Sequence, residues 1–258
     1  MFRSYVPYSG IKQACIIIGK TGTYYPGVRV ENISFPLTIE AVQAAVFACL
    51  SEGDSPDALL LPETGTPPAT PESVNKNSAA ELSDQQKFVA CGTAPVSFWC
   101  EQFGMSCETL ASNHSFERNR FFRTDETRNS VYRLDELTCR CIIPHSSFPV
   151  AALLITDAGI FSGVNIEVSD WQKGLCAERT AIAKALASGA REFHDIHVYA
   201  PKSDYVSPCG ACRQVLLEHM SNGTMLLHHN EFELSRLKVS ELLPYQLKAQ
   251  HLSRINSK

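Results

Sequence analysis

Positive charge is in short supply. The 258 residues hold 23 Lys and Arg against 27 Asp and Glu, a formal net charge of −4. A general polyanion binder neutralises phosphates with a strong positive field, so this balance argues against nucleic acid as the partner. The one basic cluster, FERNRFFRTDETR (116–128), interleaves arginines with phenylalanines. It reads as a strand or turn with buried rings and solvated arginines, in preference to a nucleic-acid strip. A long apolar run is also missing: nothing approaches the roughly 20 residues that span a bilayer, and no membrane partner is expected. The opening MFRSYVPYSG carries no apolar signal core, which makes the cytoplasm the expected compartment.

In a reducing compartment the ten cysteines are expected as free thiols and not as a disulfide framework. Cys15, Cys49, Cys91, Cys100, Cys107, Cys139 and Cys141 have apolar neighbours or no ligand-like grouping, and read as packing residues. Histidines at metal-ligand spacing are absent: His194, His197, His219 and His228 stand apart from both remaining cysteine groups. What the chain does have is core material, with 44% hydrophobic residues, enough to exclude global disorder.

The chain also repeats itself. GVRVENISFPLTIEAVQAAVFACLSEG (27–53) lies on GVNIEVSDWQKGLCAERTAIAKALASG (163–189) without a gap. Gly27, Val28, Glu31, Ala41, Ala45, Leu50 and Gly53 fall on identical residues, and Val30/Ile166, Phe35/Trp171, Ile39/Leu175 and Val46/Ile182 correspond in character. Each copy reads as an apolar strand, a glycine-containing turn, a second strand and a helix. In the first copy the helix is expected over PLTIEAVQAAVFACL (36–50), with an amphipathic stripe. The stretch 64–87, rich in Pro, Ser, Thr and Asn, reads as a surface insertion. A boundary is expected near 127, and Val131, Leu134, Leu137 and Cys141 predict a helix opening the second half.

Cys176, Cys209 and Cys212 carry the chemistry. Alone, C-x-x-C (209–212) is compatible with a redox motif, half a structural zinc site, or chance. Cys176 shifts that balance, because it opens CAERTAI at a predicted helix start with Glu178 two residues on. Three thiolates and one open position is the layout of a catalytic zinc site. Thiolates at helix N-termini gain from the helix dipole and free amide hydrogens. Arg179, and less so Arg213, are placed to offset the charge of three thiolates around one Zn²⁺. Glu178 reads as a proton carrier, the alternative being a first-turn acid that merely complements the dipole.

CAE (176–178) with PCGAC (208–212) matches the signature of zinc deaminases. GLCAERTAI, SPCGACRQVL, SELLP (240–244), GVNIE (163–167) and PHSSF (144–148) together resemble cytidine deaminase, the enzyme of free pyrimidine nucleosides. The resemblance covers roughly 130–258 closely and 1–127 in weaker form. It implies an α/β chain of two tandem three-layer α/β/α domains, each a mixed sheet with helices on both faces. Residues 1–127 would be a degenerate, non-catalytic copy and 128–258 the catalytic domain.

It further implies zinc on Cys176, Cys209 and Cys212, with Glu178 shuttling protons and Arg179 supporting the metal. Asn165 and Glu167 would hold the ribose, Phe148 would pack on the base, and the Ala177 backbone would meet its polar edge. The implied reaction is hydrolytic deamination of cytidine and 2'-deoxycytidine to uridine and deoxyuridine plus ammonia, as in pyrimidine salvage, with zinc-activated water as nucleophile. The implied assembly is a homodimer of two-domain chains. Val168 stands where the family often has Asn, and WQKG (171–174) departs from the usual turn, which puts the pocket rim in doubt.

Three other readings stay open. One is an aminonucleoside-antibiotic deaminase, another a deaminase of bases within RNA or DNA, and the third a zinc-stabilised binding protein without catalysis. In the first copy Glu40 stands for Cys176, Val42 for Glu178, Val96 for Cys209 and Trp99 for Cys212. Every ligand and the proton carrier are gone together.

Overall fold

The computed structural model describes residues 4–62, 96–110, 115–124, 130–229 and 233–245, with 130–132 in backbone only. The insertion 64–87 and the boundary near 127 lie outside the described residues.

The first sheet has the order β2-β1-β3-β4, built from β1 (Ala14–Gly19), β2 (Tyr24–Val28), β3 (Pro56–Pro62) and β4 (Ser106–Leu110). The second runs β6-β5-β7-β8-β9, from β5 (Ala151–Thr156), β6 (Gly159–Val164), β7 (Phe193–Tyr199), β8 (Thr224–His228) and β9 (Leu234–Lys238). Both are mixed. In each, the first strand is antiparallel to two neighbours and the third is parallel to the fourth.

The sequence repeat is a structural repeat down to its irregularities. The register slips at Ile18/Gly19 in one sheet and at the matching Ile155/Thr156 in the other. The bridge Val30↔Ile39 is echoed by Ile166↔Leu175.

Helix α1 (Ala41–Ser51) starts later than the sequence suggested, since Phe35–Leu37 forms a separate 3-10 turn with Pro36 inside it. Proline fits an early helical turn but supplies no amide hydrogen to the next one. Nor is α1 amphipathic: every residue of it is buried. It lies between its own sheet and α4 (Ala177–Ala187) of the second half, so no face is left for water. Helix α2 (Val96–Phe103) packs on the same face as α1, through Trp99 against Phe47. The other face of this sheet is covered by Phe116 and Phe121 around Tyr24, while Arg120 lies over the Tyr24 ring at 4.5 Å. Of the basic cluster, Phe116, Phe121 and Arg120 are thus packing residues, while Arg118 and Arg123 are exposed.

In the second half, α4 and α5 (Gly210–Met220) cover one face and α3 (Ser130–Thr138) the other. Helix α3 is shorter than its apolar stripe suggested: Leu134 and Leu137 are buried, but Cys141 lies beyond its end.

The halves share one core, and one buried cation crosses it. The Lys184 ammonium, fully buried, reaches Ser51 Oγ at 3.1 Å, Ser162 O at 2.8 Å and the Glu52 carboxylate. No helix among the described residues is long and apolar enough to cross a membrane.

Candidate active site

Two loops in the second half each end in a cysteine that caps a helix. Cys176 is the N-cap of α4 and Cys209 the N-cap of α5, where Cys209 Sγ accepts from Cys212 N at 3.5 Å. Cys212 sits one turn in and is fully buried. The three sulfurs lie within 4.8 Å of one another, with Cys176 and Cys209 at 3.7 Å. Tetrahedral Zn–S bonds of about 2.3 Å set sulfurs about 3.8 Å apart, so this donor set suits zinc in type and spacing. Hydrogen bonds from Cys176 and Cys212 hold the Cys209 thiol far down, while the bond to Cys209 pushes the Cys176 thiol up and bonds to Cys176 and Cys209 push the Cys212 thiol up.

Glu178 follows Cys176 by two residues, in the first turn of α4, and is 3% exposed. Burial pushes its carboxyl up to about 6. Cys176, Cys209 and Glu178 line a cavity of about 610 Å³. Asn165, Glu167 and Phe148 line the same cavity.

The carboxylate of Glu167 is already engaged, accepting from His145 N at 2.9 Å, Ser146 N at 3.1 Å and the Ser146 hydroxyl. Asn165 bridges the same loop, with Oδ1 accepting from Val150 N at 2.8 Å and Nδ2 donating to Phe148 O at 2.8 Å. Both residues thus build the loop that carries Phe148. Ala177 is fully buried and does not line the cavity, while its chain neighbours Cys176 and Glu178 do.

The hydrogen bond from Arg179 goes to Leu37 O of the first half at 3.0 Å, and its charge lowers the Glu178 carboxyl against the burial effect. Arg213 braces the loop before Cys209 through Pro208 O and Ser207 Oγ, both at 2.9 Å.

Sequence reasoning placed the WQKG turn (171–174) at the pocket rim but missed Tyr205. Trp171 stands at the rim, with its ring edge to His145 at 6.2 Å. Tyr205 stacks on His229 at 4.8 Å. Ser146 was legible only as part of PHSSF. The Val168 departure is resolved locally: its carbonyl pairs with His145 Nε2 at 3.3 Å, and its side chain is buried.

A donor triad with one side open to a nucleoside-sized cavity, and a buried acid facing the same space, belongs to the class of zinc-dependent deaminases. A family model described as the cytidine and deoxycytidylate deaminase zinc-binding region matches residues 126–226. A cytidine deaminase of Sporosarcina psychrophila is 43% identical over 114 residues, covering 43% of this chain and 83% of the relative. A blasticidin-S deaminase of Bacillus cereus is 33% identical over 104 residues, covering 37% of this chain and 74% of the relative. Among solved structures, a cytidine deaminase from Burkholderia pseudomallei is 32% identical with a TM-score of 0.43, covering 45% of this chain and 95% of that one. The chain belongs to the cytidine deaminase family.

Proposed function

We propose that the chain hydrolyses free cytidine and 2'-deoxycytidine to uridine and deoxyuridine, releasing ammonia, as a pyrimidine-salvage enzyme. One observation carries the reading: Cys176, Cys209 and Glu178 line the same cavity as Asn165 and Glu167, and Cys212 completes the sulfur cluster at its wall. Cys176, Cys209 and Cys212 hold the zinc. When bound, zinc supplies a Lewis acid that lowers the pKa of water at neutral pH.

Glu178 accepts a proton from the attacking water and delivers it to N3 of cytosine, which makes C4 more electrophilic. The hydroxide left by that transfer adds to C4, and Glu178 then takes the proton of the new C4 hydroxyl and hands it to the amino nitrogen, so that C4=O forms as the C4–N bond breaks, one water is consumed and one ammonia leaves. Glu178 is inside hydrocarbon walls and beside the sulfurs without being one of the donors, which supports that role. Phe148 packs on the base and the Ala177 backbone meets its polar edge. Asn165 and Glu167 receive the ribose hydroxyls, the loop they hold being the sugar end of the pocket. Arg179 offsets charge beside Glu178.

The chain is organised as a degenerate half, 1–127, and a catalytic half, 128–258. It works in the cytoplasm as a homodimer. The exposed ring of Phe35 supports a second copy as the covering surface. The test is ammonia release from cytidine by zinc-loaded protein, with turnover expected and its absence overturning the reading. The similarity to blasticidin-S deaminase gives an aminonucleoside antibiotic as the second substrate class, and side-by-side assays separate the two. Competition by single-stranded oligonucleotide would point instead to a nucleic-acid substrate.

A further inference from the structure

The first half has lost its chemistry, yet α1 keeps one buried amide among apolar neighbours: Gln43, 6% exposed. Gln43 is the third residue of α1, and Arg179 is the third residue of α4. The two make mirrored contacts across the halves. Arg179 donates to Leu37 O at 3.0 Å, and Gln43 Nε2 donates to Lys173 O at 2.9 Å. Leu37 and Lys173 each end the 3-10 turn of their half, at equivalent places in the repeat. The halves are therefore related by an internal two-fold, and each helix start holds the other half's turn.

The consequence is not symmetric. The turn held by Arg179 belongs to a half with no cluster of metal donors among its described residues. The turn held by Gln43, Trp171–Lys173, carries Trp171 and leads into Gly174 and Leu175, all of which line the catalytic cavity. Two more contacts from the first half grip the same segment: Lys173 lies over the Phe98 ring at 4.9 Å, and the Ser169 hydroxyl meets Gln102.

We propose that Gln43 is a positioning residue for the catalytic pocket, fixing from the degenerate half the turn that forms the Trp171 wall. This rests on the cavity being the nucleoside site. A leucine at 43 keeps bulk but leaves a buried carbonyl without its donor. An arginine can reach that carbonyl as Arg179 reaches Leu37.

The test uses the full zinc-loaded chain. Q43L is expected to raise KM for cytidine about tenfold with kcat within about twofold of wild type, and Q43R to restore KM. A second readout needs no turnover. Of the two tryptophans, Trp99 is buried and Trp171 exposed, so iodide-quenchable emission reports Trp171. Its anisotropy should fall in Q43L and recover in Q43R. Unchanged anisotropy in Q43L, or equal damage in Q43L and Q43R, overturns the proposal. A wild type that binds zinc but leaves cytidine intact sinks the substrate reading, while the anisotropy still decides the role of Gln43. If Q43L does not fold, the exposed Gln102→Ala is the substitute: it should lower the same anisotropy, and no change overturns the proposal.

Discussion

Gly27 and Gly163 occupy one position in two sheets, each pressed beneath the first turn of its helix. A Cβ on Gly27 would fall 2.0 Å from Ala41 O, and one on Gly163 would fall 2.2 Å from Ala177 O. The next obstacles are also equivalent, Ala45 N at 2.5 Å and Ala181 N at 2.6 Å. These are rigid backbone atoms, so the strand and helix would have to separate. Gly27→Ala and Gly163→Ala should each lower stability by roughly 2 kcal/mol or more, measured as a shift in the denaturant midpoint. Gly163→Ala should also weaken zinc binding, because it displaces the helix start that carries Cys176.

Trp99, which aligns with Cys212 in the sequence repeat, is a core residue of the first half. It is 1% exposed and meets Phe47 and Phe98 edge-on at 5.7 and 5.1 Å. Trp99→Ala should cost about 3–5 kcal/mol in an unfolding titration, with zinc content unchanged.

The Lys184–Glu52 pair ties stability to pH. Burial would raise the Glu52 carboxyl, but the Lys184 ammonium and then Arg140 outweigh it and hold the group below its usual 4.5. A depressed carboxyl gives stability that is present above the unfolded value and lost as pH falls through the folded one. The melting midpoint should therefore drop below about pH 4.5, and Glu52→Gln should flatten that part of the profile. The same substitution removes the charge facing a fully buried ammonium, so at pH 7 it should cost about 3 kcal/mol.

Glu178→Gln should keep zinc and lose at least about 10²–10⁴-fold in kcat, the range general acid–base catalysis contributes. Near-normal kcat in the zinc-loaded variant would remove Glu178 from the mechanism.

Much of this was legible in the chain. Duplication, the strand–turn–strand–helix succession of each copy and the three sulfurs follow from motifs whose spacing survives folding, and Gly27/Gly163 already aligned. What was not legible depends on the second half meeting the first. Helix α1 has no solvent face because α4 covers it, which no period in residues 36–50 records. Arg179 looked like a partner for the sulfurs, but its hydrogen bond crosses to Leu37, 142 residues away. Tyr205 lies in a loop with no repeat or spacing to mark it. Glu167 was read as a ribose ligand alone; its bonds to His145 and Ser146 come from a loop that only the fold returns to it.

The central claim is that one half does chemistry and the other serves as scaffold. Metal analysis of the purified chain tests it most directly, with Cys176→Ser and Cys209→Ser as controls. One zinc per chain, lost in the serine variants together with cytidine turnover, is the predicted result. Two zincs per chain, or zinc retained in those variants, would contradict it.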